Sequence, residues 1–328
     1  MTIQPPVNNL PEPAEAGLWP ARIPWLAGRC APDPVFCLRL AAAFTAVYTI
    51  WGSTYLAIRL AIDTLPPFTM AGVRFLIAGA LLYGWQRLHQ VPPPARVHWR
   101  SAAVVGALML LGGNGGVTWA EQHVPTGLTA LLIATVPLWM AILESLRRGG
   151  TRPTRRIAVG LALGFAGIAL LIGPGNLAGG GSVDPLGAGV LLLAALSWAG
   201  GSLYSRHAPL PAVALLGTAM EMLAGGALLL LGGGLAGEWG GLDPAAVSTR
   251  SWLALGYLIF FGSLMGFTAY LWLLRNTTPA RASTYAYVNP MVAVFLGWAL
   301  AGESLTWQTL LAAAVIIAAV VLINTGRA

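Results

Sequence analysis

Gly52-Ser53-Thr54-Tyr55 lies inside one long apolar run, and 149 residues later Gly201-Ser202-Leu203-Tyr204 lies inside another. Working outward from this pair, five further features recur in the same order. Ala78-Gly79-Ala80-Leu81-Leu82 returns as Gly225-Gly226-Ala227-Leu228-Leu229, and Gly112-xxx-Gly116-x-Thr118 returns as Gly262-xxx-Gly266-x-Thr268. Pro125 and Pro137 return as Pro279 and Pro290, and Gly149 matches Gly302. The offsets stay between 147 and 154. Each match is short, and Gly, Ala and Leu are abundant. Six matches in one order at a nearly constant offset nevertheless mark an internal duplication.

The repeated units are runs of membrane length. A helix needs about 20 apolar residues to cross a bilayer core. Ten runs of that kind occupy about 37–58, 68–88, 101–120, 125–146, 155–173, 185–205, 212–232, 251–273, 279–301 and 305–324. They are apolar on every face, as lipid-spanning helices are. The composition agrees: the 328 residues are 57% hydrophobic and 9% charged, against about 25% charged in a soluble domain. That balance excludes a soluble enzyme and a nucleic-acid-binding domain. The expected fold class is an all-α integral membrane protein with ten transmembrane helices.

Five spans per half is an odd number, so the second half enters the membrane from the opposite side. The halves are then inverted repeats about a pseudo-two-fold axis in the membrane plane, an architecture of secondary transporters. The expected divisions are a first five-helix repeat over 37–173, a Gly-rich linker over 174–184 and a second repeat over 185–324. Residues 1–36 hold eight prolines and no long apolar run; they read as a disordered Pro-rich cytoplasmic tail, without the basic start of a signal peptide.

All 18 cationic side chains are arginines. With both termini in the cytoplasm, 15 fall on the cytoplasmic side; Arg59 and Arg250 fall on the other, and Arg74 within a span. The positive-inside rule selects that orientation. It also accounts for the net charge of +7 without nucleic acid, because basic loops anchor on an anionic leaflet. The two ends of the bundle are called Arg-rich and Arg-poor below.

Several stretches resemble the drug/metabolite transporter (DMT) superfamily, EamA family, in its YedA-type branch. They are Trp51-Gly52-Ser53-Thr54-Tyr55-Leu56-Ala57-Ile58-Arg59, Pro66-Pro67, Ala71-Gly72-Val73-Arg74-Phe75, Thr284-Tyr285-Ala286-Tyr287-Val288-Asn289-Pro290 and Leu300-Ala301-Gly302-Glu303. The likeness covers roughly residues 37–324. It implies two inverted EamA repeats around a central cavity, and export or exchange of amino acids, other small metabolites or drugs across the bacterial inner membrane. The chain departs from a symmetric pattern at one place: the second repeat ends in Gly302-Glu303, where the first has Gly149-Gly150.

Arg74 is the sharpest candidate. An arginine within a span is costly in lipid and is expected to face a wet cavity or a partner. It suits a substrate carboxylate through two parallel hydrogen bonds, or a structural pair. Glu221 occupies the repeat-equivalent position and is a candidate partner in one state, a candidate proton-coupling carboxylate, or a solvated group near the helix end. Trp51, Ser53, Tyr55, Asn114, Tyr270, Tyr285 and Asn289 complete the substrate-cavity candidates, since mid-span phenols, amides and hydroxyls need partners or water. Pro137 and Pro290 are candidate helix kinks. Glu121 and Glu144 lie at span ends and read as solvated, and Glu303 reads as a cap for the helix that follows it.

No His/Cys/carboxylate cluster has metal-ligand spacing, and no phosphate-binding G-x-x-x-x-G-K-[ST] is present. Neither a metal nor a cofactor is expected. The expected partners are a small-molecule substrate, the lipid bilayer and a coupling proton. Cys30 and Cys37 form neither a zinc motif nor a disulfide framework, and read as incidental thiols. The missing catalytic set weakens the alternative of a membrane enzyme or signalling module. Uptake and efflux both stay open.

Overall fold

The structure is a computed structural model and describes residues 34–147, 154–177, 184–276 and 284–325. The chain divides into a short amino-terminal unit ending at Ala41 and a main body beginning at Ala42. Secondary structure among the described residues is entirely helical. Ten apolar segments follow in order: α1 Pro34–Ala61, α2 Pro67–Leu88, α3 Arg96–Ala120, α4 Thr126–Leu146, α5 Arg155–Leu177, α6 Pro185–Ser205, α7 Ala214–Leu235, α8 Thr249–Leu273, α9 Tyr285–Ala301 and α10 Trp307–Thr325. Seven of these, α1–α4 and α6–α8, are long and apolar enough to cross a membrane. Within α9 and α10 the apolar stretches are shorter, Val288–Ala301 and Trp307–Ile323. Large apolar side chains such as Leu193, Phe260, Phe295 and Trp298 are more than half exposed, a surface suited to lipid and not to water.

Two boundaries differ from the sequence reading. The first helix begins at Pro34, inside the expected 1–36 tail, because proline is preorganised for a first helical turn; residues 1–33 lie outside the described residues. The fifth helix continues through Leu177, into the expected 174–184 linker. The expected start of the ninth span at 279 lies outside the described residues. Cys37 is disulfide-bonded, contrary to the reading of a free thiol; a single bridge leaves no motif to read.

The extensive contacts in the main body are α2 with α7, α5 with α10, α4 with α9, α1 with α8 and α9, α6 with α3 and α4, α2 with α8, and α7 with α3. Moving each helix five places along the order turns α1–α8 into α6–α3, α1–α9 into α6–α4 and α2–α8 into α7–α3. The remaining three pairs map onto themselves. Backbone geometry repeats in part as well: α3 widens into π-helix over Gly106–Gly115 and α8 over Leu258–Met265. In α1 the same widening covers Val47–Trp51, but its counterpart α6 is α-helical throughout.

Glycine makes the α2–α7 contact possible. A Cβ on Gly226 would lie 2.9 Å from the Leu76 nitrogen and 3.0 Å from the Gly72 oxygen, and one on Gly79 would lie 3.0 Å from the Ala219 oxygen. The two helices therefore meet backbone to backbone, as small residues allow in membranes. Gly226→Val is expected to destabilise the protein by about 1–3 kcal/mol through overpacking, read as a lower denaturation midpoint in detergent. Gly84→Val, where a Cβ meets nothing within 4 Å, is the matched control and should lose far less.

Candidate transport site

The π-helical stretch of α8 and the residue just before it, Tyr257, gather three of the expected site residues from the first half. Trp51 donates its indole N–H to the Gly262 carbonyl at 3.1 Å. Arg74 donates from Nε to the Ser263 hydroxyl at 2.9 Å. Ser53 and the Tyr257 hydroxyl lie 2.7 Å apart, and Ser53 also donates to the Ile50 carbonyl at 2.8 Å. The missing side chains of Gly262 and Gly266 leave the volume that Arg74 and Trp51 occupy. Around Trp51 stand Tyr270 and Tyr285, each with its ring centroid 5.1 Å away, and Phe267 at 5.3 Å. The two tyrosine rings meet edge to face with centroids 5.4 Å apart. Asn289 is buried, and its amide nitrogen donates to the carbonyls of Tyr285 and Tyr48 at 3.2 and 3.3 Å. Half-buried Tyr55 packs against the apolar core. This assembly of α1, α2, α8 and α9 combines aromatic rings in edge-to-face and tilted contact, hydroxyls and one buried guanidinium.

Asn114 and Glu221 stand elsewhere. Asn114 lies in the π stretch of α3, bonded within its own helix to the Met109 carbonyl at 3.5 Å. Glu221 is half-buried on α7, its backbone oxygen close to Gly106 of α3. Among the described residues no ion pair joins Arg74 to Glu221; the arginine instead uses Ser263 and lies with Cζ 4.7 Å from the centroid of the Phe75 ring. The two prolines also differ. Pro137 opens a new helix, Val136–Leu146, after a turn at Ala134–Thr135 that interrupts α4. Pro290 lies inside α9, which continues through it.

The Arg-poor end holds a second set of contacts. Glu303 accepts hydrogen bonds from the backbone N–H groups of Thr126 at 2.6 Å and Gly127 at 3.0 Å, the first turn of α4. Glu238 accepts from the N–H groups of Phe68 at 3.0 Å and Thr69 at 2.7 Å, and from the Thr69 hydroxyl at 2.7 Å, at the first turn of α2. Both helices start from a proline at the cap position, Pro125 and Pro66, which has no side chain to offer. The free N–H groups and the positive end of the helix dipole therefore take a carboxylate from another helix. Delivery follows one recipe twice. Gly237 (φ 80°) and Gly302 (φ 70°) take the left-handed conformation just after α7 and α9. Each turns the next residue, a glutamate, back over a glycine of its own helix, Gly233 or Gly297. After α9 the Glu303 N–H closes onto the Gly297 carbonyl at 3.0 Å, the long bond of a Schellman turn. The expectation that Glu303 caps the following helix is thus corrected: it caps α4. A third link joins α1 to α8, where Thr64 donates to Ser251 at 2.8 Å and Ser251 to the Leu60 carbonyl at 2.9 Å.

Glu121 corrects a second expectation. In place of the expected solvated position, it is 1% exposed and neither carboxylate oxygen has a hydrogen-bond partner in the protein. The chain passes from α3 into α4 through a tight turn, with the Val124 N–H bonded to the Ala120 carbonyl at 2.8 Å, and the turn tucks Glu121 inside. Burial pushes its carboxyl well above the usual range; the Glu303 carboxylate adds to the rise and Arg59 opposes it. A glutamate four residues before a helix-starting proline is the signal that sequence reading passed over.

Among the described residues, an all-helical bundle with apolar flanks and a polar-aromatic interior is the build of an integral membrane protein. The EamA-like transporter family matches the chain twice, over residues 38–173 and 185–325, and the chain belongs to that family. It is 45% identical over 293 residues to the uncharacterized inner membrane transporter YedA of Escherichia coli K12, covering 88% of this chain and 92% of that one. It is 25% identical to the uncharacterized transporter YvbV of Bacillus subtilis, over 88% and 92% of the two chains. A crystal structure of a protein 20% identical superposes with a TM-score of 0.60 over 87% of this chain and 97% of the other, a likeness of fold alone.

Glu303→Ala and Glu238→Ala are each expected to lower stability by about 0.5–2 kcal/mol, the worth of a helix cap, measured by denaturant titration in detergent. Gly297→Ala should reproduce the Glu303→Ala loss, because its Cβ would occupy the carboxylate's place.

Proposed function

We propose that this chain is a secondary transporter of the bacterial inner membrane, exporting or exchanging a small metabolite, amino acid or drug-like amphipathic solute by alternating access. Ten helices, in two inverted repeats over 37–173 and 185–324, surround one site, with both termini in the cytoplasm and the Arg-poor end outside. The observation that carries this reading is the helix-contact pattern, whose principal pairs map onto themselves when the halves are exchanged. Two related halves of opposite orientation can swap conformations and expose one site to either side in turn.

The site is the group around Trp51, Ser53, Tyr55, Arg74, Tyr270, Tyr285 and Asn289. Arg74 sits on a neutral hydroxyl, so its charge is left for an anionic solute group. The aromatic faces suit an apolar or planar part of the same molecule. Access alternates when the carboxylate caps and the serine–threonine contacts at the Arg-poor end open. Direction follows the gradients, so uptake by the same cycle is the second reading.

The test is counterflow in proteoliposomes with a panel of labelled amino acids and amphipathic metabolites. Saturable flux of at least one solute is expected, with a loss of tenfold or more in Arg74→Ala at normal insertion. No saturable flux for any solute removes transport; full flux in Arg74→Ala removes the assigned site.

A further inference from the structure

Glu121 is a fully buried carboxyl group that the transport site does not use. Its surroundings are specific. Arg59 of α1 donates from Nη1 to the Glu121 backbone carbonyl at 2.8 Å, which fixes a cation beside the residue without occupying its carboxylate. Glu303, arriving after α9, is its acidic neighbour and is itself held by the first turn of α4. Tyr55 of α1 lies within electrostatic range of Glu121 and, in turn, of Tyr285. His123, two residues on, is exposed and lies tilted against Trp119 with centroids 4.8 Å apart. Two more oxygens in the same turn and helix start, the hydroxyls of Thr126 and Thr129, are buried without a partner.

We propose that Glu121 is the proton-binding site of this transporter, loaded when the Arg-poor end closes and emptied when that end opens to water. This deepens the transport reading, on which its functional meaning rests. A carboxylate with no donor on either oxygen does not keep its charge at 1% exposure, because nothing replaces its hydration. The neutral acid removes that penalty and also the repulsion from Glu303. Opening parts Glu303 from α4 and hydrates the turn; the O–H bond of the acid then breaks, the electron pair stays on the carboxylate, and the proton passes to external water. Closure binds one proton and opening releases it. Because the closed-state carboxyl titrates above an ordinary glutamate, protonation favours closure at low pH, and the preference is lost as pH rises through the closed-state value.

The site lies at the end of a row of hydroxyl-bearing side chains, Tyr55, Tyr285 and Tyr270, leading to Trp51. Binding of solute among these aromatics and protonation of Glu121 thereby act on the same helices, α1 and α9. Glu221 is a separate carboxyl group on α7, and the experiment distinguishes the two.

The test is infrared titration of the purified full-length protein in lipid nanodiscs, following the carbonyl stretch of protonated carboxylic acid. A band present at neutral pH is expected, missing in Glu121→Gln and retained in Glu221→Gln. Its midpoint should move up in Arg59→Gln and down in Glu303→Gln, a pair of opposite shifts that a merely structural residue would not produce. The proposal is overturned if the band survives in Glu121→Gln, if it disappears only in Glu221→Gln, or if sodium chloride abolishes it where choline chloride does not. The measurement needs no solute, so absent counterflow would defeat the transport reading while leaving this result standing.

Discussion

Two carboxylates on backbone amides hold one end of this molecule together. Glu238 and Glu303 come from the second half of the chain and close the open first turns of α2 and α4 in the first half. Charge-assisted hydrogen bonds of this kind are roughly twice as strong as neutral ones, and the helix dipole adds to them. Everything else at that end is arranged to permit them: prolines that leave the amides uncapped, glycines at positive φ that reverse the chain, and glycines that leave room for the carboxylates. In sequence, the first half has no counterpart of Glu303, since Gly149-Gly150 stands where Gly302-Glu303 does.

This separates two kinds of contact. The α2–α7 seam is backbone-close and built on Gly72, Gly79 and Gly226, so a small displacement there loses many packed atoms at once. The caps are few and polar, and water can replace each of them at modest net cost. The seam therefore rests on close packing and the end on a few polar bonds. The Trp51–Tyr270–Tyr285 group is anchored to α8 through the Gly262 carbonyl, beside Arg74 on Ser263, and its α1 packs on α8 and α9.

The helices were legible in the sequence because lipid forces a long apolar run on any segment that spans it. The repeat was legible because prolines and glycines punctuate both halves at matching places. Arg74, Trp51, Ser53 and Tyr285 stood out as polar or amphipathic groups where lipid tolerates few. What escaped was non-local. Glu303 meets its partners 177 and 176 residues away, so its position beside Trp307 suggested the wrong helix. Glu121 looked like any acid at a span end, since burial there depends on α1 and on the loop after α9. Arg74 found Ser263, 189 residues away, where the repeat offset had pointed to Glu221. Inverted repeats place equivalent residues across the axis from one another, and equivalence alone does not bring them into contact.

The central claim is that Glu238 and Glu303 keep the Arg-poor end closed. Electron–electron resonance between nitroxides at Gln122, before α4, and Leu305, after α9, measures it directly in lipid. A single narrow distance is expected in the parent protein, with a second, longer population appearing in the Glu238→Ala/Glu303→Ala double variant. An unchanged narrow distribution in that variant would contradict the account.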